Sequence, residues 1–187
     1  MTISWIPNLI TFLRLLLALP ISISIYQGNE LQALILFILA GLSDGLDGYL
    51  ARKYNWESKY GELLDPLADK CLILSTILAL AFSNKLPIWF VSTLLARDGI
   101  IVMGAMLYMM LFEGHHTLSN RWGKHYTGWI IAMLIIVLLQ GTLVTGSALL
   151  HNLAQISKLG VLFFTFLSLF SYFKEPGKLI FNQLFHK

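Results

Sequence analysis

Six stretches of this chain, approximately 8–27, 31–54, 60–82, 87–112, 122–147 and 152–173, are too long and too apolar to be ordinary core elements of a water-soluble domain. Crossing a hydrocarbon core of roughly 30 Å takes about 20 mostly apolar residues as a helix, and each stretch is that long. Water is absent from that layer, so the backbone N–H and C=O groups must bond within the segment, which a helix achieves by itself. The expected fold is therefore all-α: a polytopic membrane protein, a six-transmembrane-helix bundle. Six spans nearly exhaust 187 residues, so a single domain over 1–187 is expected. Composition agrees, with 57% hydrophobic and only 12% charged residues. The connections QGNE, NWES, SNKLP and EGHHTLSN are short and polar. The opening stretch lacks a basic n-region and a small-residue cleavage site, so it reads as the first helix rather than a secretory signal. The tail KEPGKLIFNQLFHK reads as a short interfacial helix or a frayed end.

Charge orients the bundle. Arg52, Lys53 and Lys59 flank the second connection, Arg121 and Lys124 the fourth, and Lys174, Lys178 and Lys187 belong to the tail, whereas the other connections offer only Lys85. The positive-inside rule places both termini and the even-numbered connections in the cytoplasm. The net charge of +3 then reflects cytoplasmic connections and gives no reason to expect a nucleic-acid partner. Trp5, Trp56, Trp89, Trp122 and Trp129 fall near helix ends, where amphipathic rings sit at headgroup level. The one cysteine, Cys71, reads as a small core or lipid-facing residue.

Against this apolar background, residues 41–70, GLSDGLDGYLARKYNWESKYGELLDPLADK, concentrate four aspartates. Asp44, Asp47, Gly48 and Ala51 stand at i, i+3, i+4 and i+7 and share one helix face; Gly61, Asp65 and Asp69 repeat the pattern on the next helix. Two helices joined by a tight connection are expected to be antiparallel neighbours, bringing both faces to one cavity. Carboxylates in hydrocarbon cost about 2.5–3.5 kcal/mol each on insertion scales, and clustering adds repulsion. Arg52 and Lys70 are too few cations to neutralise four of them. An oxygen-only set fits a hard divalent ion, Mg²⁺ or Mn²⁺, and four carboxylates suffice for two ions. Gly48, Ala51 and Gly61 remove bulk, so either the helices pack closely there or a flat ligand slides between them; small residues alone do not separate these readings. Arg52 is placed to pair with a diphosphate. Pro66 leaves the Glu62 carbonyl without its helical donor, tolerable where a membrane helix lines a wet cavity. A plainer alternative, salt bridges to Arg52, Lys53, Lys59 and Lys70 that only fix register, is disfavoured because intramembrane charge is rarely without function.

The pattern from Asp44 to Asp69, D-x-x-D-G-x-x-A-R-x8-G-x3-D-x3-D, resembles the signature of the CDP-alcohol phosphatidyltransferases at every fixed position. The PNLITFLR start, the six spans, and the runs LLARDG and WGKHYT extend the resemblance along the chain. It implies a membrane enzyme, usually a homodimer, that moves a phosphatidyl group from a CDP-linked lipid to an alcohol and releases CMP. By motif position it implies that Asp44, Asp47, Asp65 and Asp69 bind two metal ions, that Gly48, Ala51, Arg52 and Gly61 line the CDP site, and that Asp69 is also the general base. Asn8, Thr11 and Arg14 match a weaker pattern near the nucleotide.

The acceptor is less constrained. LLDPLADK and PNLITFLR resemble most the branch that makes phosphatidylglycerophosphate from glycerol 3-phosphate, or the CMP-forming cardiolipin synthases that use phosphatidylglycerol. Both acceptors carry phosphate, so spare cations should line the pocket, and Arg97, Lys124 and Arg121 are the candidates, with Lys158 behind them. Arg97-Asp98 stands where phosphatidylglycerophosphate synthases commonly have Arg-Glu, a departure toward cardiolipin synthases. Glycerol 3-phosphate remains the first choice, in a bacterial cytoplasmic membrane with the site facing the cytoplasm. A cation transporter or channel is the alternative from another class; it would string its acids along a path through the bilayer rather than cluster them.

Overall fold

The computed structural model describes residues 6–54, 59–111, 121–142 and 148–185. These form six helices: α1 (Ile6–Tyr26), α2 (Glu30–Tyr54), α3 (Lys59–Phe82), α4 (Ile88–Leu111), α5 (Arg121–Thr142) and α6 (Ala148–Phe185). The described residues contain no strand, as expected for an apolar chain that satisfies its backbone locally. Four of the six segments begin and end close to the expected bounds, and the fifth begins where expected and is described as far as Thr142. The sixth differs: α6 runs for 38 residues and continues through the tail, so that tail is neither a separate interfacial helix nor a frayed end within 174–185. Residues 143–147 and the histidines His115 and His116 lie outside the described residues.

The turns that follow α1 and α3 close in the same way. After α1, Gly28 takes a positive φ of 77°, the Asn29 N–H donates to the Ser24 carbonyl at 2.8 Å, and the Gly28 N–H donates to the Ile25 carbonyl at 3.1 Å. After α3, Asn84 takes φ 57°, with Lys85 N–H to Leu80 at 2.9 Å and Asn84 N–H to Ala81 at 3.0 Å. Both are Schellman ends, for which Gly and Asn are the residues that tolerate the left-handed position. The QGNE and SNKLP connections are thus short because each helix is stopped within one turn. Pro20 and Pro66 both lie inside helices that continue past them.

The chain divides into two compact units. In the first, made of the chain up to Pro87 and the end of α5 from Val137, α1 packs along both α2 and α3. Ala18, Ile21 and Ile25 of α1, Ala33, Phe37 and Ala40 of α2, and Leu72 and Leu80 of α3 are buried there. The alanines let helix backbones approach closely, as membrane helices do where small residues meet. Lys85 pairs with Glu30 in the first turn of α2, a position where a carboxylate also favours the helix dipole. In the second unit, α4 contacts α6, and the Trp129 ring of α5 lies against the backbone of Gly160 on α6, where a Cβ would come within 2.6 Å of it. The ring also stacks on Phe164, with centroids 5.9 Å apart.

The outer faces carry Leu19 and Ile23 on α1, Leu39 on α2, Phe82 on α3, Ile88 and Met103 on α4, Ile131 on α5, and Phe163, Phe166 and Phe170 on α6, all exposed. So much open apolar surface is unusual for a protein in water. Two described segments, Trp122–Thr142 and Ala148–Tyr172, are long and apolar enough to cross a membrane. Cys71 is exposed, so it is not a core residue, one of its two expected places.

Candidate active site

The aspartates of α2 and α3 meet at α1. Arg14, in the middle of a first helix that carries no other charged side chain, is fully buried at 0% exposure. Its Nη1 donates to Asp44 Oδ1 of α2 at 2.8 Å and to Asp69 Oδ1 of α3, also at 2.8 Å. Both oxygens sit on one nitrogen, so they can be no farther apart than twice that distance. One turn earlier on the same face, the Thr11 hydroxyl donates to Asp65 Oδ1 at 2.6 Å. Asp44 and Asp69 keep 45% of their side-chain surface open. The arrangement is a buried cation beneath carboxylates that face outward.

The sequence-based expectation of converging aspartate faces therefore holds for Asp44, Asp65 and Asp69, but the route differs. Convergence was expected from direct α2–α3 packing; among the described residues, α1 packs against both helices and supplies the groups that bind their acids. Arg14 was expected near a nucleotide, and its described partners are the acids themselves. The available signal was an arginine isolated in LRLLLAL, since such a cation in a membrane helix demands partners. Asp47, Gly48, Ala51, Arg52 and Gly61 occupy helical positions on α2 and α3, and Asn8 on α1; their side chains lie outside the described residues.

A divalent ion requires several hard oxygens within reach of one point. Among the described residues no set of three or more such ligands is close enough to hold a metal ion alone. Asp44 and Asp69 already share one point, Asp65 is tied one turn away, and the side chain of Asp47, the fourth member, is not among those described. This all-oxygen, outward-facing donor set fits Mg²⁺ or Mn²⁺ in chemistry.

The acceptor-phosphate candidates lie in the second unit. Arg97 of α4 is buried: Nη1 donates to Asp98 Oδ1 at 2.5 Å, Nη2 to Ser168 Oγ of α6 at 2.5 Å, and the guanidinium lies 4.0 Å from the centre of the Tyr126 ring of α5. One guanidinium thereby ties three helices, and its fork is engaged as the structure stands. Lys124 is exposed on α5, Lys158 is partly buried on α6, and Arg121 is the first residue of α5 with its side chain outside the described set.

Comparison with known proteins gives the chain its relatives. The family model described as CDP-alcohol phosphatidyltransferase matches residues 4–168. A Rickettsia felis protein named CDP-diacylglycerol–glycerol-3-phosphate 3-phosphatidyltransferase is 30% identical over 176 residues, 92% of this chain and 96% of the relative. A Bacillus subtilis protein of the same name is 34% identical over 155 residues, 78% of this chain and 74% of the relative. A Streptomyces coelicolor cardiolipin synthase (CMP-forming) is 46% identical over 71 residues, 38% of this chain and 33% of the relative. Against that protein and the fly and rat cardiolipin synthases, the match spans only about a third of the relative's length.

Proposed function

The chain belongs to the CDP-alcohol phosphatidyltransferase family, and from that premise we propose that it transfers a phosphatidyl group from CDP-diacylglycerol to glycerol 3-phosphate, giving phosphatidylglycerophosphate and CMP. The observation that carries this reading is the gathering of Asp44, Asp65 and Asp69 of the family signature on two residues of α1. Membership of this enzyme family sets aside the cation transporter or channel as the alternative from another class. The near full-length match to relatives named for the glycerol 3-phosphate reaction favours that acceptor. The second reading, a CMP-forming cardiolipin synthase acting on phosphatidylglycerol, is favoured by Arg97-Asp98 and by the shorter matches.

In this reading, Asp44, Asp47, Asp65 and Asp69 would hold two Mg²⁺ or Mn²⁺ ions, which would supply Lewis-acid neutralisation of the diphosphate. Arg52 pairs with the diphosphate, and Gly48, Ala51, Gly61 and Asn8 line the CDP site. Thr11, whose hydroxyl is on Asp65, serves the nucleotide through that carboxylate. Asp69 takes the proton of the attacking hydroxyl; with Oδ1 on Arg14, the other oxygen is the one that accepts it. The six helices span the membrane of a bacterial cell as one domain and as a homodimer, with the site on the cytoplasmic side. The exposed apolar faces and the cationic even-numbered connections support that placement.

Lys124 leads the acceptor cations because it is exposed, whereas Arg97 would first have to exchange a partner; Arg121 stands beside Lys124 in sequence. Following CMP release against acceptor concentration tests this assignment. Lys124→Gln should raise KM for glycerol 3-phosphate about tenfold, the loss of one charge-assisted hydrogen bond of roughly 1.5 kcal/mol, and leave KM for CDP-diacylglycerol unchanged. An unaltered acceptor KM would remove Lys124 from the pocket.

A further inference from the structure

We propose that Arg14 is the standing counter-ion of the aspartate site: a positioning residue that holds Asp44 of α2 and Asp69 of α3 at one point before any divalent ion arrives, and shares with that ion the task of neutralising them. The inference rests on the divalent-ion reading above and adds a resident cation to it.

Three observations carry it. First, Arg14 is the buried member and the carboxylates are the open ones: the guanidinium has no exposure, while Asp44 and Asp69 are each 45% exposed. A buried arginine is held by its pairing, because a guanidinium taken out of water without partners is heavily penalised. Second, one nitrogen, Nη1, serves carboxylates from two different helices at equal distances of 2.8 Å. Without it, two like charges within a few ångströms would push α2 and α3 apart or force one acid to take up a proton. Third, Thr11 fastens Asp65 one turn away on the same face, so α1 is the common strut for all three described acids. Thr11 does this with a neutral group, which leaves Arg14 as the charge-compensating rung. Arginine suits the position better than lysine, since a guanidinium stays protonated in full burial whereas an ammonium readily loses its proton there.

The consequence is a division of the neutralising work. In wild-type protein the acids are already partly compensated, so metal-free protein stays folded and added Mg²⁺ stabilises it only modestly. Once Arg14 is removed, the whole burden passes to the metal.

The test is thermal unfolding of the purified protein in detergent, in EDTA and in MgCl₂, with NaCl of matched ionic strength as control. Arg14→Met is expected to melt about 5 °C or more below wild type in EDTA, with a Mg²⁺-induced rise at least about twice that of wild type. Adding Asp69→Asn to Arg14→Met should recover most of the loss in EDTA, because one of the two repelling charges is gone. Arg14→Lys should fall between wild type and Arg14→Met. Equal Mg²⁺ increments in wild type and Arg14→Met, or no recovery by Asp69→Asn, would reduce Arg14 to a packing residue and overturn the proposal. If Arg14→Met does not fold in EDTA, the double variant decides: a folded double variant supports the counter-ion role, and an unfolded one contradicts it. A wild-type melting temperature that ignores Mg²⁺ beyond the NaCl control would instead count against the divalent-ion reading, and the Asp69→Asn recovery would then judge Arg14 alone.

Discussion

Membranes carrying Asp65→Asn are expected to release no CMP from CDP-diacylglycerol above background, while expressing normally. The substitution keeps size and planarity and leaves Oδ1 able to accept the Thr11 hydroxyl, which now lies 2.6 Å away. What it removes is charge. The amide keeps one neutral oxygen in place of two and loses the charge that would balance a hard divalent ion, so the chemistry that neutralises the diphosphate is lost. Losing it should cost about 4 kcal/mol or more in the transition state, roughly a thousandfold in rate. Thr11→Val separates position from charge: it frees Asp65 without neutralising it and should be far milder. Robust turnover by Asp65→Asn would show that the signature aspartates hold the fold rather than the metal.

Withdrawal of divalent ions should have an effect of the same order. EDTA is expected to bring CMP release to background, and Mg²⁺ or Mn²⁺ added in excess should restore it. The donor set argues for this selectivity, because carboxylates without histidine or thiolate suit hard ions and are poor hosts for soft ones. The protein should survive the treatment in wild-type form, since Arg14 itself pairs with Asp44 and Asp69. Full activity in EDTA would contradict the metal reading while leaving the family membership intact.

Much of this was legible before any coordinates. The six helices follow from segment length and apolar content alone, because long apolar runs separated by short polar connections read as helices. The i, i+3, i+4 spacing of Asp44, Asp47 and Gly48, and the repeat from Gly61 to Asp69, placed the acids on helix faces directly. Tertiary detail was not legible in the same way. Nothing local pairs Arg14 with Asp69, 55 residues away, or Arg97 with Ser168, 71 residues away. Each such contact is fixed by which helix packs on which, and connection length points to sequential neighbours. That reasoning favoured direct contact between α2 and α3 and overlooked α1 as the element that joins their acids. The length of α6 was missed for a different reason: Pro176 and Gly177 mark a helix end in water, whereas the helix passes through both.

Arg97 shows where sequence reasoning and geometry divide. A cation inside a membrane helix is a sound functional candidate, and it was so assigned here. Its surroundings give it a structural task as well, bridging Asp98, Ser168 and the Tyr126 ring. Lys124, less conspicuous in sequence, is the more open of the two.

The most direct test of the central claim is to incubate purified protein with CDP-diacylglycerol and Mg²⁺, offering glycerol 3-phosphate and phosphatidylglycerol in separate reactions, and to identify the lipid product. The account predicts CMP and phosphatidylglycerophosphate in equal amounts with glycerol 3-phosphate, and no cardiolipin above background with phosphatidylglycerol. Product formed only from phosphatidylglycerol would contradict it.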